Sequence, residues 1–103
     1  MSIAISQVSL AATTVPYVAQ TATYGITTSD GTIDCTANSF TVTLPTAVGV
    51  AGKSYNIKNS GTGIITIATT SSQTIDGNAS GTLTLNQYDN LTVQSDGANW
   101  III

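Results

Sequence analysis

Charge is scarce in this chain. Only 7% of its 103 residues are charged, against about a quarter in an ordinary soluble domain. Lys53 and Lys58 are the only cations, there is no arginine, and the acids are five aspartates with no glutamate. A net charge of −3 without a basic cluster gives no footprint for phosphate backbones or anionic lipid, so neither nucleic acid nor membrane is expected as a partner. Histidine is absent as well, which removes the commonest general base, and the missing glutamate removes most paired-carboxylate schemes. A Ser–Lys dyad would need a buried lysine. Lys58 falls on the parity opposite to Tyr55 and Ile57 and is expected to face solvent.

Other absences narrow the reading further. Cys35 is the single cysteine and sits in "TIDCTA", where it reads as a small buried hydrophobe and not as a redox or metal residue. Long apolar runs are missing. The opening "MSIAISQVSLAATTV" has no basic start and is interrupted by Ser, Gln and Thr, which fits neither a secretory signal nor a spanning helix. Asp30, Asp34, Asp76, Asp89 and Asp96 do not fall at the spacing of a calcium loop. "GVAGKS" at 49–54 lacks the four residues a phosphate loop needs before Gly-Lys-Ser, and "GTGI" at 61–64 is no better. Asn78-Ala79-Ser80 and Asn90-Leu91-Thr92 match a glycosylation pattern without a secretory context to support it. The chain is therefore read as non-enzymatic, with no cofactor and no metal.

What replaces charge is Thr and Ser with many Asn and Gln, a surface that can pack against protein without desolvating ions. From Thr23 onward apolar residues alternate with these polar ones, which is the period of β-strands. Strands are predicted at 23–27, 32–37, 40–44, 54–59, 64–69, 82–86, 90–95 and 99–103. Phe40, Val42 and Leu44 share one face, as do Leu83 with Leu85 and Leu91 with Val93. Asp30-Gly31, Asp76-Gly77 and Asp96-Gly97 are turn signals, because tight turns between strands need positive φ angles. The expected fold is all-β: a small antiparallel β-sandwich, jelly roll or barrel of about eight short strands over residues 23–103.

Residues 1–22 differ, with neither glycine nor charge, and read as an N-terminal arm with Ile3, Ile5, Val8 and Leu10 as docking candidates. Alternation in "SIAISQ" breaks at Gln7, and a helix through Ala4, Val8 and Ala11 competes with it. The arm could lie in a partner's groove, extend a partner's sheet, or be the first strand of its own. At the other end "NWIII" is apolar on both faces, with Ile101 and Ile103 opposite Trp100 and Ile102. Strands of that kind are normally covered on both sides. Trp100, Ile101, Ile102 and Ile103 are accordingly the candidate subunit interface.

The stretches "LPTAVGVAGKSYNIKNSGTGIITI", "QTIDG" and "LTVQSDGANWIII" together resemble a module of tailed-bacteriophage virion proteins, found in tail fibres, baseplates and head-surface proteins. The resemblance spans about residues 24–103 and leaves the arm unmatched. It implies a β-rich, commonly homotrimeric structural module without catalytic residues, made in the host cytoplasm and carried on the virion. A short chain beginning at Met1 with its own arm looks more like a head decoration protein binding the major capsid protein than like a fibre end. The alternative is a tail-fibre or baseplate protein that meets a host surface receptor at loops such as 59–63 or 77–81; separately, Tyr88 and Trp100 are aromatic rings that could stack on a sugar, although Trp100 inside an apolar terminal strand reads first as core.

Overall fold

The computed structural model describes residues 14–78 and 83–103. Among them the alternating stretches form nine strands: β1 (Tyr17–Gln20), β2 (Tyr24–Gly25), β3 (Thr32–Cys35), β4 (Phe40–Thr43), β5 (Ser54–Asn59), β6 (Ile65–Ala68), β7 (Leu83–Leu85), β8 (Asn90–Ser95) and β9 (Trp100–Ile102). There is no helix. Two sheets result, one in the order β1-β3-β5-β8-β9 and one in the order β2-β4-β6-β7. Among the described residues neither sheet closes into a barrel. The eight predicted strands correspond to β2 through β9, and β1 lies inside the stretch read as an arm.

The pairing is mixed, which corrects the expected antiparallel arrangement. β1 with β3, β3 with β5, β2 with β4 and β4 with β6 all run parallel. Only β5 with β8, β6 with β7 and β8 with β9 are antiparallel. From β1 to β6 the chain crosses to the other sheet at every connection, so β1, β2, β3 and β4 each pair with the strand two places on. The chain thus winds in coils, each coil giving one strand to each sheet. A short connection such as 36–39 resembles a hairpin loop in sequence although it joins strands of different sheets, and period-two alternation is the same for either direction of pairing.

Register then stacks like residues on like. Val18, Ile33, Ile57 and Leu91 form one inward row across the larger sheet. Tyr24, Val42, Ile67 and Leu83 form another across the smaller. Both sheets feed a single core in which Ile33, Val42, Leu44, Ile57, Ile65, Ile67, Val93 and Trp100 are completely buried, each such side chain stabilising by about 1.5–3 kcal/mol. The outward rows are polar. Thr32, Asn56 and Thr92 lie side by side, the Asn56 amide donating to Thr32 Oγ1 at 3.3 Å and accepting from Thr92 Oγ1 at 2.8 Å.

Buried polar groups are placed where loops must be held. Asn59 Nδ2 donates to the carbonyls of Gly63 at 2.7 Å and Leu85 at 2.8 Å, and its Oδ1 accepts from Gly61 N–H at 3.0 Å. Gln73 and Ser95 hold Ala47 in the same manner, Gln73 Oε1 accepting its N–H and Ser95 Oγ donating to its carbonyl. Such networks are tolerated in a core because each member is satisfied.

Candidate functional site

Each carboxylate has structural partners. Asp30 accepts from Tyr24 OH at 2.7 Å and Thr27 N–H at 2.9 Å; Asp34 accepts from Tyr17 OH at 2.7 Å and Ser60 Oγ at 2.5 Å. Asp89 accepts from Asn86 N–H at 2.9 Å. Asp96 accepts the N–H groups of Asn99 and Ala98, which hold its carboxyl below the usual range. The charged form is the one that binds, so this turn is held above the ordinary aspartate pKa and loosens as acid protonates the folded-state carboxyl. Among the described residues no three His, Cys, Asp or Glu side chains converge as metal ligands, and no pocket is present.

The lysines are also engaged. Lys58 Nζ donates to the Tyr88 carbonyl at 2.7 Å and stands 5.9 Å from that ring, while Lys53 Nζ stands 5.2 Å from the Tyr55 ring centroid. Among the described residues no hydrogen bond joins either ammonium to a serine hydroxyl. Cys35 is fully buried on β3, and burial, with a smaller contribution from the Asp34 charge, pushes its thiol up to about 11. A thiol-reactive dye at pH 8 is therefore expected to leave Cys35 unlabelled until denaturant is added; rapid labelling of the native protein would show that β3 opens easily.

The Asp-Gly pairs serve three different purposes. Gly97 has φ +100 in the β8–β9 turn, as the turn reading requires. Gly31 has no positive φ. It is needed because an added Cβ would stand 2.6 Å from Val15 Cγ1 and 2.8 Å from the Pro16 carbonyl. Asp76 does something the sequence reading missed: its carboxylate accepts the Ile102 N–H at 3.0 Å, while Thr74 O and Asp76 N–H bond the two backbone groups of Trp100. The outer edge of β9 is thereby closed to further strands.

That edge carries the candidate interface. Trp100 belongs to the chain's own core, fully buried with its ring 5.6 Å from that of Tyr55 and tilted by 56°. The isoleucines are separated from it. Ile101 and Ile103 lie on the outer face beside Gln94 and Thr92, and Ile102 lies beside Val93 at the strand end. They are 36%, 63% and 40% exposed respectively. The described residues cover none of the three completely. Tyr88 is a second exposed apolar feature, 66% exposed with a positive φ of 69. The arm candidates Ile3, Ile5, Val8 and Leu10 lie outside the described residues. Comparison with protein-family models, curated proteins and solved structures returned no match to this chain.

Proposed function

We propose that this chain is a structural protein of a bacteriophage virion surface, a head decoration protein that assembles as a homotrimer and stabilises the major capsid protein lattice. The observation that carries the reading is the run Ile101–Ile103, left exposed on a strand whose backbone edge is already closed by Asp76. A closed edge cannot recruit another strand, so its partner meets it through side chains. Around a threefold axis the same isoleucines of three copies would come together. The surrounding surface supports the same reading, because rows such as Thr32–Asn56–Thr92 present hydroxyls and amides that pack on protein without burying ions. A protein that binds only the assembled lattice stabilises it by mass action.

The alternative, a tail-fibre or baseplate protein binding a host receptor, is favoured by Tyr88. Its exposed ring on a strained turn, with the Lys58 ammonium beside it, is a platform on which a saccharide ring can stack. Immunogold labelling of intact virions separates the two: gold over the head supports decoration, and gold confined to the tail tip replaces it with the receptor reading. For the assembly itself, the double variant Ile101→Asp/Ile103→Asp is expected to keep its β-sheet circular dichroism and to fall in light scattering from three times the 10.5 kDa chain mass to one. A trimer that survives both charges would mean the subunits meet elsewhere.

A further inference from the structure

In each of the three Asp-Gly pairs the backbone nitrogen of the glycine can attack the side chain of the aspartate before it, and glycine has no Cβ to shield that nitrogen. The fold treats the three pairs differently. Asp30 Oδ2 accepts from Tyr24 OH, Thr27 N–H and Thr27 Oγ1, and Gly31 is buried with Val15 and Pro16 close over it. Asp96 Oδ1 accepts from the N–H groups of Ala98 and Asn99, and the Gly97 nitrogen is itself engaged, donating to Ser95 Oγ at 3.0 Å. Asp76 and Gly77 are both exposed. They are the two residues of a tight loop whose ends bond each other, Asn78 N–H to the Ile75 carbonyl at 2.9 Å and Ile75 N–H to that of Asn78 at 3.4 Å. Their φ angles are both positive, 50° and 80°, as a type I′ turn requires. Among the described residues no hydrogen bond engages the Gly77 N–H, and no heavy atom lies within 4 Å of where a Cβ would stand. The Asp76 carboxylate is restrained by the Ile102 N–H alone among them.

We propose that Asp76 is a site of spontaneous isoaspartate formation, and that this modification releases the edge of β9. The Gly77 nitrogen bonds to Asp76 Cγ and gives up its proton; a carboxylate oxygen, with that proton and one from solvent, leaves as water. The product is a five-membered cyclic imide. One water then adds back and a proton returns to solvent. Addition at Cγ restores aspartate, whereas addition at the Asp76 backbone carbonyl leaves the main chain running through Cβ and Cγ, with the carboxylate on Cα. Nothing is oxidised or reduced, and the mass is unchanged. The consequence falls on the terminal strand. The main chain gains one methylene inside a loop of two residues, and the carboxylate loses the carbon that carried it to the Ile102 N–H, 3.0 Å away in the unmodified chain. Asp76 N–H, which donates to the Trp100 carbonyl at 3.0 Å, belongs to the same rebuilt residue. The site follows from the chain's own turn geometry and is independent of the virion reading.

The test uses the full chain. Folded protein is held warm at neutral pH over weeks beside the same chain in guanidinium chloride, and isoaspartate at each pair is followed by peptide mapping with electron-transfer fragmentation, which separates the two isomers. In denaturant the three pairs should react at similar rates. In the folded protein Asp30 and Asp96 are expected to slow at least about tenfold, the factor that further hydrogen bonds to be broken first impose. Asp76 should stay within about threefold of its unfolded rate, because it reacts without any opening of the core. The isoaspartyl chain, separated by chromatography, should exchange its Ile102 amide at least about tenfold faster than the parent, with the amides of β5 unchanged. Asp76 slowed as strongly as Asp30 and Asp96 would overturn the site. An Ile102 amide equally protected in both forms would overturn the release of β9.

Discussion

Trp100→Ala is expected to cost about 3–5 kcal/mol, a third or more of the stability of a domain of this size. Trp100 is the largest of the fully buried side chains, it stacks at a tilt on Tyr55, and its strand is held from both sides by β8 and by Thr74 and Asp76. Those flanking bonds keep the backbone from collapsing into the space an alanine would leave, which is the condition for a large cavity term. Thermal unfolding followed by circular dichroism should show a midpoint lower by more than about 12 °C. Trp100→Phe makes the test specific. The indole Nε1 has no hydrogen-bond partner among the described residues, so phenylalanine keeps most of the ring packing and loses no bond, and its cost should stay under about 2 kcal/mol. A loss below about 1 kcal/mol for Trp100→Ala would mean that the terminal strand packs far more loosely than its burial implies.

The second large effect is expected from Asn59→Asp, which changes no volume. Both Asn59 Nδ2 protons point at carbonyls, those of Gly63 and Leu85. A carboxylate there would face two acceptors in a site with no exposed surface, and neutral pH stability should fall by about 3 kcal/mol or more. The pH dependence has a definite sign. Burial and the facing carbonyls raise the introduced carboxyl's folded pKa above its unfolded value of about 3.9, so the folded form binds the extra proton. The variant is therefore least destabilised below about pH 4 and weakens as pH rises through that folded pKa, whereas Asn59→Ala should be destabilised without this slope. Urea midpoints for both variants between pH 3.5 and 7 decide it: parallel curves would show that the substituted side chain has moved out to water.

Much of this molecule is legible from local chemistry, and the failures have a common cause. The inward sets Val42 with Leu44 and Leu91 with Val93 follow from the two-residue period, and the structure buries all four. The Asp96-Gly97 turn follows from positive φ at glycine. Asn59 gave no local signal, since "SYNIKN" alternates equally well with a polar residue at its end; its importance comes from Gly63 and Leu85, the latter 26 residues away. Asp76 is similar. Its Asp-Gly signature describes the turn, but the Ile102 N–H that it accepts also lies 26 residues on. In "NWIII" the lack of alternation correctly marked the strand as unusual, yet could not distinguish Trp100, taken into the core beside Tyr55, from isoleucines that remain in solvent.

By itself, then, the sequence determined that the chain is all-β, where eight of its strands lie, and which side of most of them is apolar, because alternation and turn chemistry act over a few neighbouring residues. Only the tertiary structure decided that successive strands cross between two sheets and pair in parallel one coil later, and that one edge is closed by Asp76. Those features rest on which distant strands share hydrogen bonds, and a period of two looks the same whichever neighbour a strand finds.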